Sequence, residues 1–292
     1  MDIKEQNNGY EKIGPTAWGV SYSRSLSDIK YAAEIFHELE LSIKTTSKEE
    51  VEYFEASKKS KLAPQFEARQ KLIDRLIEEN KNDQILEIAA GFSSRGLAMT
   101  EKNDSLKYVE VDLPYIAEHK KQILQVLSSK YGINPSVNLR IESGDALDLN
   151  SLFESVKYFE QKPISVVNEG LLRYLSFDQK SIVAKNVHAL LEKFGGVWIT
   201  SDITLRRILT YEQERESNRE RVLALSGINV VENSFDNAEA AKIFFENLGF
   251  SVEKHGFPEV IDQLVSPEKL GLSMGKVQEM INNLVVFVMR VR

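Results

Sequence analysis

A glycine turn between two apolar segments, the second of which ends in an acid, is the part of this sequence best suited to chemistry. Gly91 and Gly96 lie in the first segment, residues 84–96, and Asp112 lies in the second, residues 108–114. A strand, a glycine turn, a helix and a second strand ending in an acid build a nucleoside pocket at the carboxyl edge of an α/β sheet. The spacing therefore predicts a nucleoside ligand.

The turn residues distinguish between two kinds of nucleoside. The dinucleotide fingerprint is G-x-G-x-x-G, which lets the backbone approach a pyrophosphate, but Ala89 and Ala90 stand at the first turn positions here. A single glycine passing under the amino-acid part of the ligand fits S-adenosylmethionine better, because a Cβ at Gly91 would occupy ligand volume. The alternative for Gly91 is a strand-to-helix turn that needs only a positive φ.

Three acids at predicted strand ends have two interpretations each. Glu87 holds the ammonium group of the cofactor, or it caps the next helix. Asp112 accepts from both ribose hydroxyls, or it is the N-cap of a helix that opens at Pro114. Asp145 binds the adenine amino group, with the Ala146 amide facing a ring nitrogen, or it is a turn aspartate. We favour the ligand-binding interpretation for Asp112 and Asp145.

Arg69 lies on the apolar stripe of a predicted helix through residues 62–76. A buried guanidinium is costly without an anion, so a negative group must contact it. The carboxylate of the methionine part of the cofactor is one candidate, and Arg24 is the predicted second cation at that carboxylate. The alternative for both arginines is an internal salt bridge to Glu or Asp.

The residues after the fourth predicted strand, Asn168-Glu169-Gly170, lie where the acceptor and the methyl donor should meet. Enzymes that methylate bases or amides place a proline pair and an aromatic residue here, and this chain does not. The four histidines are scattered, and no cluster has the spacing of metal ligands. We therefore expect neither base methylation nor a metal site.

A carboxylate acceptor explains these features, because it is ionised at neutral pH and needs neither a general base nor a metal. Its oxygen attacks the sulfonium methyl group in line, and orientation and dehydration supply the acceleration. Arg173 and Tyr174 are the predicted catalytic residues that hold the acceptor, with Tyr22 and residues 205–225 closing over it. If the acceptor is a phenol instead, a base is required, and His119 or Glu169 is the first candidate.

Alternating strands and helices predict the fold that positions these residues. Apolar helical spacing before residue 80 predicts helices, and the C-terminal run has no long crossover helix before it, which predicts an antiparallel strand. The fold class is α/β, a doubly wound, mostly parallel seven-stranded sheet with an N-terminal helical cap. The predicted strands are 84–90, 106–111, 137–141, 163–168, 196–203, 250–256 and 284–291.

The predicted domains are a helical cap, residues 1–80, and a cofactor-binding core, residues 81–292, with a lid-like insertion at about 203–236. The chain has 292 residues, no cysteine and a net charge of −7. The acidic balance argues against a nucleic-acid partner, and no apolar run reaches membrane-span length. We expect a cytoplasmic protein without a signal peptide that acts on a small-molecule acid. The sequence leaves the oligomeric state open.

The motifs together resemble the leucine carboxyl methyltransferase family, and within it the bacterial branch of polyketide-biosynthesis O-methyltransferases. The family turn reads Gly-x-Gly-x-Asp-Thr-Arg, whereas this chain has Ala89 at the first glycine and Ser93-Ser94 at the Asp-Thr positions. The motifs are Ala90-Gly91-x-Ser-x-Arg95-Gly96, Glu110-Val-Asp112-Leu-Pro114, Gly144-Asp145-Ala-Leu-Asp148, Val167-Asn-Glu169-Gly170-Leu-Leu-x-Tyr174, and Pro15-Thr16-Ala17-Trp18 with Arg24.

The resemblance implies an S-adenosyl-L-methionine-dependent O-methyltransferase of a carboxylate on a small or polyketide-like acid. Two other classes remain as alternatives: a nicotinamide-dependent oxidoreductase, and a non-catalytic protein that binds S-adenosylmethionine. The predicted cofactor-binding residues are Arg24, Arg69, Glu87, Ala89, Gly91, Asp112, Leu113, Asp145, Ala146 and Glu169.

Overall fold

A seven-stranded sheet forms the centre of the protein. The computed structural model describes residues 14–43, 48–203, 205, 206, 220, 223 and 228–292. The strands are β1 (Gln84–Ile88), β2 (Lys107–Asp112), β3 (Leu139–Ser143), β4 (Ile164–Asn168), β5 (Gly196–Thr200), β6 (Phe250–Gly256) and β7 (Val285–Val291). They lie in the order β3-β2-β1-β4-β5-β7-β6.

The first five strands are parallel, and β7 pairs antiparallel with both β5 and β6. The predicted fold class and the antiparallel last strand are therefore confirmed, with strand ends that differ by a few residues at most. The strand order reverses between β1 and β4. The chain continues from β1 to β2 on one side of this point, and from β4 to β5 on the other side. In open α/β sheets, ligands bind at the carboxyl ends of the strands beside such a reversal.

Helices cover the two faces of the sheet, and alternate strand residues divide between them. Leu86 and Ile88 of β1 belong to one apolar cluster, whereas Ile85 belongs to the cluster on the opposite face. The helices are α1 (Gly14–Ser25), α2 (Ala32–Ile43), α3 (Lys48–Ser57), α4 (Ala63–Asn80), α5 (Arg95–Lys102), α6 (Pro114–Tyr131), α7 (Leu149–Ser155), α8 (Phe177–Phe194), α9 (Ala238–Asn247), α10 (Ser266–Lys269) and α11 (Met274–Ile281).

The helices before the sheet follow the predicted apolar spacing with one interruption. In the sequence, Leu26, Ile29 and Phe36 recur at a spacing that predicts one helix, but Leu26 and Ile29 lie between α1 and α2. Tyr31 has a φ of 64°, in the left-handed region, which ends the helical path before α2 begins. The second predicted helix corresponds to α4, whose Leu72, among other apolar residues, packs on the sheet.

The division of the chain into cap, core and lid stays a prediction. Most of the predicted lid lies outside the described residues, apart from residues 203, 205, 206, 220, 223 and 228–236. None of the helices in the described part of the chain has the length and apolar character needed to cross a membrane.

We predict that the substitution Gly196→Ala prevents correct pairing of β4 and β5. Gly196 has a φ of 106°, and an added Cβ would lie 2.0 Å from the backbone oxygen of Ile164 on the paired strand. We expect the free energy of unfolding in urea to fall by about 3 kcal/mol or more.

Gly132→Ala is the matched control, since Gly132 ends α6 with a φ of 69° and a Cβ added there would have no atom within 4 Å. Its cost should be about 1–2 kcal/mol, from the left-handed backbone alone. Equal losses in the two variants would contradict the steric explanation.

Candidate functional site

One cavity of about 280 Å³ lies at the carboxyl ends of β1, β2, β3 and β4. Its volume is near the lower end of the roughly 300–1,000 Å³ that is common for small-molecule sites. Helices α1 and α4 and the chain between α3 and α4 close its other side. All twelve predicted site residues line it: Arg24, Arg69, Glu87, Ala89, Gly91, Asp112, Leu113, Asp145, Ala146, Glu169, Arg173 and Tyr174.

The turn after β1 is held tightly against β2. Ala89 and Gly91 have φ values of 55° and 54°, so both occupy the left-handed region that glycine adopts most easily. The amide of Ala89 donates to the carbonyl of Val111 at 2.7 Å. The amide of Gly91 donates to Oδ2 of Asp112 at 2.7 Å. The turn therefore has a left-handed residue at Ala89, the position where the resemblance noted from the sequence predicts a glycine, although Ala89 carries a side chain.

A buried lysine supports the same turn from behind. Lys120 Nζ donates to the carbonyl of Ser93 at 2.6 Å and forms a buried ion pair with Glu110. Burial raises the pKa of Glu110 above its ordinary value, although the attraction of Lys120 lowers it. This pair joins α6, β2 and the glycine turn.

Asp112 is fixed by two backbone amides. Oδ2 accepts from Gly91 at 2.7 Å and Oδ1 accepts from Leu113 at 2.8 Å. The N-cap of α6 is Leu113, and it makes no side-chain cap hydrogen bond. The N-cap interpretation of Asp112 is therefore wrong. Each carboxylate oxygen keeps acceptor capacity for one further donor, as two ribose hydroxyls require.

Asp145 does form the turn that was its alternative interpretation. Its Oδ1 accepts from the amide of Leu147 at 2.9 Å, and its own amide donates to Ser151 Oγ at 3.1 Å. Asp145 and Ala146 also line the cavity. The two interpretations are compatible, and adenine binding at these residues stays a prediction.

Glu169 lies at the centre of a buried ion cluster. Its Oε2 is 3.0 Å from Arg24 NH2 and 2.6 Å from Arg69 Nε, and its Oε1 accepts from Arg95. Burial raises the pKa of Glu169, but the attraction of the three guanidinium groups outweighs burial and holds this pKa well below its ordinary value. The internal salt bridge proposed as the alternative for Arg24 and Arg69 is thus present, within the cavity wall.

Arg95 connects this cluster to the sheet and was not among the predicted site residues. Its fully buried guanidinium forms ion pairs with Asp74 of α4, Glu87 of β1 and Glu169. Tyr108 donates to Oε2 of Glu87 at 2.7 Å. Glu87 thus binds Arg95 and Tyr108 instead of capping α5, whose N-cap is Ser94. Arg95 lies in the first turn of α5, where the helix dipole disfavours a positive charge. This position was the sign in the sequence that Arg95 has acidic partners.

Asp202, also missed by the sequence interpretation, holds the loop after β4. Its buried carboxylate accepts from the amides of Gly170, Leu171 and Leu172 at 2.5, 2.7 and 2.9 Å. It also accepts from Nδ2 of Asn168 at 2.7 Å. The loop that carries Glu169, Arg173 and Tyr174 is therefore rigidly placed. An acid two residues beyond the end of the buried strand β5 was the signal in the sequence.

On the acceptor side, Tyr174 donates to Thr16 Oγ1 at 3.1 Å and packs against Val230. Tyr22 is not among the residues lining the cavity; its ring packs on Phe36, with the ring centroids 5.3 Å apart. Residues 205–225 of the predicted cover lie almost entirely outside the described residues.

The histidines lie away from the site. Of the described residues that line the cavity, none is a histidine. His119 contacts Ser42 Oγ at 3.0 Å and the edge of the Phe92 ring. Within the described ranges, no group of three His, Cys, Asp or Glu residues is arranged to hold a metal ion.

The sequence of this chain matches one known protein family. The sequence profile of the leucine carboxyl methyltransferase family matches residues 17–188. No curated protein gives a significant match.

Three solved structures are similar at low identity. A DUF574 family protein of Streptomyces avermitilis has a TM-score of 0.58 and 14% identity, over 83% of this chain and 90% of that one. PigF with SAH has a TM-score of 0.50 and 13% identity, over 89% of this chain and 71% of that one. A proposed O-methyltransferase of Nostoc punctiforme has a TM-score of 0.49 and 15% identity, over 79% of this chain; this chain spans 60% of its length.

We predict that Arg69→Ala weakens binding of S-adenosylhomocysteine at least about tenfold, because a charge-assisted contact to the ligand carboxylate is lost. The fold should persist, since Glu169 keeps Arg24 and Arg95 as partners. Titration calorimetry measures the affinity, and circular dichroism checks the fold. Arg75→Ala is the control: Arg75 lies on the same helix and pairs with Glu259 outside the cavity. Unchanged affinity in folded Arg69→Ala would remove Arg69 from the binding site.

The affinity for S-adenosylhomocysteine should fall as the pH falls below about 6. Burial raises the pKa of Asp112 to about 6, although the amides of Gly91 and Leu113 lower it. In the predicted binding mode, ribose hydroxyls donate to the ionised Asp112 carboxylate, so protonation of Asp112 opposes binding, by up to about tenfold per pH unit well below the pKa. Above pH 7 this contribution is constant. Asp112→Asn should bind weakly and lose this pH dependence; an identical pH profile in that variant would assign the effect to another group.

Proposed function

Because the chain belongs to the leucine carboxyl methyltransferase family and is therefore an S-adenosylmethionine-dependent methyltransferase, we propose that it methylates a carboxylate oxygen of a small-molecule acid. The family assignment favours this over a nicotinamide-dependent oxidoreductase. The identity of the acceptor as a small-molecule acid, which includes polyketide-like acids, is part of the proposal.

The cavity fits the amino-acid end of the cofactor. The Nε atoms of Arg24 and Arg69 are buried and lack a hydrogen-bond partner among the described residues, although Arg69 Nε is in ionic contact with Glu169. Buried donors without acceptors are costly, and a ligand carboxylate supplies acceptors. Glu169, which already contacts both arginines, offers a negative charge to an ammonium group. These three residues would hold the two charged groups of the methionine part.

The adenosine end has matching partners along the sheet edge. Asp112 would accept from the ribose hydroxyls, and Asp145 and Ala146 would bind adenine. Gly91 and Gly170 keep the cavity wall free of side chains: a Cβ added at Gly170 would have no atom within 4 Å. These roles, together with those of Glu87, Ala89 and Leu113, remain proposals.

One observation favours a carboxylate over a phenol acceptor: the two predicted general bases are unsuited to the task. An effective general base has a pKa near the working pH. The three arginines hold the pKa of Glu169 well below its ordinary value, and His119 does not line the cavity. A carboxylate acceptor is already ionised and needs no base.

The cavity residues then have two tasks in catalysis, to orient the acceptor and to exclude water. When bound, S-adenosylmethionine supplies the methyl group that the acceptor oxygen takes, with the electrons of the broken C–S bond left on sulfur and no proton transferred. Arg173 and Tyr174 orient the acceptor, and the fixed loop after β4 keeps both in place. Apolar wall residues such as Leu62 and Phe66 exclude water, which strengthens the remaining electrostatic contacts.

The product distinguishes the two acceptor classes. We expect the enzyme, incubated with S-adenosylmethionine and a panel of monocarboxylic acids and phenols, to form methyl esters. Mild base releases methanol from an ester but leaves an aryl methyl ether intact. The turnover number should show no rise between pH 7 and pH 9 caused by acceptor ionisation, because the acid is already ionised. A base-stable ether as the product, formed faster at higher pH, would contradict the proposal.

A further inference from the structure

Arg173 differs from the other arginines that line the cavity. Arg24 and Arg69 are both paired with Glu169. No carboxylate of the described residues lies within 4.0 Å of the Arg173 guanidinium, and its Nε is buried without a hydrogen-bond partner there. Arg173 is thus a partly buried cation that lines the cavity and has no carboxylate partner among the described residues.

The contacts that Arg173 does make are too weak to compensate for burial. Its guanidinium carbon lies 5.5 Å from the centre of the Tyr174 ring. A cation–π contact of this kind is weaker than an ion pair, so it does not replace a carboxylate partner for a partly buried charge. An anionic ligand would supply the acceptor that the buried Nε of Arg173 does not find among the described residues.

The position of Arg173 is fixed before any ligand binds. Asp202 holds the amides of Leu171 and Leu172 on one side of it. On the other side, the buried Lys180 Nζ donates to the carbonyl of Leu175 and, at 2.8 Å, to that of Asn233. A guanidinium on such a supported turn can select a ligand by its geometry, because little reorganisation is needed on binding.

We infer that Arg173 binds the carboxylate of the methyl acceptor and selects acids over neutral analogues. This inference rests on the proposed function. One carboxylate oxygen accepts from Arg173, which leaves the second oxygen free as the nucleophile. Leu171 and Leu175, which flank Arg173 and Tyr174 in the chain, line the cavity with apolar side chains and indicate that the acid has an apolar body. The acceptor class is therefore a monocarboxylic acid with an alkyl or aryl group.

The cofactor carboxylate is the competing anion for Arg173, so the experiment measures both ligands. Calorimetry on protein saturated with S-adenosylhomocysteine compares benzoate with benzamide and octanoate with octanamide. We expect wild type to prefer at least one acid over its amide, Arg173→Gln to raise the Kd of that acid at least about tenfold, and Arg173→Lys to recover part of the loss. The Kd for S-adenosylhomocysteine should change by less than about twofold in both variants.

Arg140→Gln is the matched control, because the Arg140 guanidinium carbon lies 3.7 Å from the centre of the Tyr158 ring, and neither residue lines the cavity. It removes the same charge and the same kind of ring contact. No acid preference in wild type, an unchanged preference in folded Arg173→Gln, or a large loss of S-adenosylhomocysteine affinity would each overturn the inference.

Ester formation separates this inference from the proposed function. If Arg173→Gln forms methyl esters with the kcat/KM of wild type, carboxylate methylation stands and the role of Arg173 falls. If wild type forms only aryl ethers, both fall. A raised KM for the acid with a smaller change in kcat supports an acceptor-binding role.

Discussion

The buried pairing of Glu169 and Arg95 is the interaction on which the cavity depends. Arg95 joins α4, β1 and the loop after β4 through Asp74, Glu87 and Glu169. Removing one member of a buried ion pair commonly costs about 3–5 kcal/mol, because the other charge remains without a partner. The elements that surround the cavity therefore cannot shift independently without exposing a buried charge.

The same cluster gives the cavity its electrostatic character. Three guanidinium groups, those of Arg24, Arg69 and Arg95, face the carboxylates of Glu169, Glu87 and Asp74, so the charges balance. A zwitterionic ligand can enter by exchanging partners within this set, with no net charge left uncompensated. Arg173 does not belong to this balanced set of charges and lies on the acceptor side. Arg24 and Arg69 therefore have the proposed role of binding the cofactor, and Arg173 has the proposed role of binding the acceptor, within one cavity.

Much of this arrangement follows from the sequence, since its signals are local. Apolar runs and turn residues are sufficient to predict the seven strands and the antiparallel β7, because strand pairing in this fold class is tied to chain order. The acids at strand ends, such as Asp112 and Asp145, were found because parallel strands bring their carboxyl ends to one edge.

The partners of the charged residues could not be predicted in the same way. Arg69 requires an anion, but the sequence does not reveal that Glu169, a hundred positions later in the chain, is the anion that contacts it. Asp202 and Lys180 bind backbone amides and carbonyls, and the sequence does not reveal which ones. The left-handed φ of Ala89 was also hidden, because alanine rarely adopts it.

A crystal structure with S-adenosylhomocysteine tests the central claim most directly, since the claim concerns which residues hold each end of the cofactor. We predict the ligand carboxylate at Arg24 and Arg69, its ammonium group at Glu169, and the ribose at Asp112. A ligand that lies elsewhere, or that leaves Arg24 and Arg69 bound only to Glu169 with the carboxylate in solvent, would contradict this account.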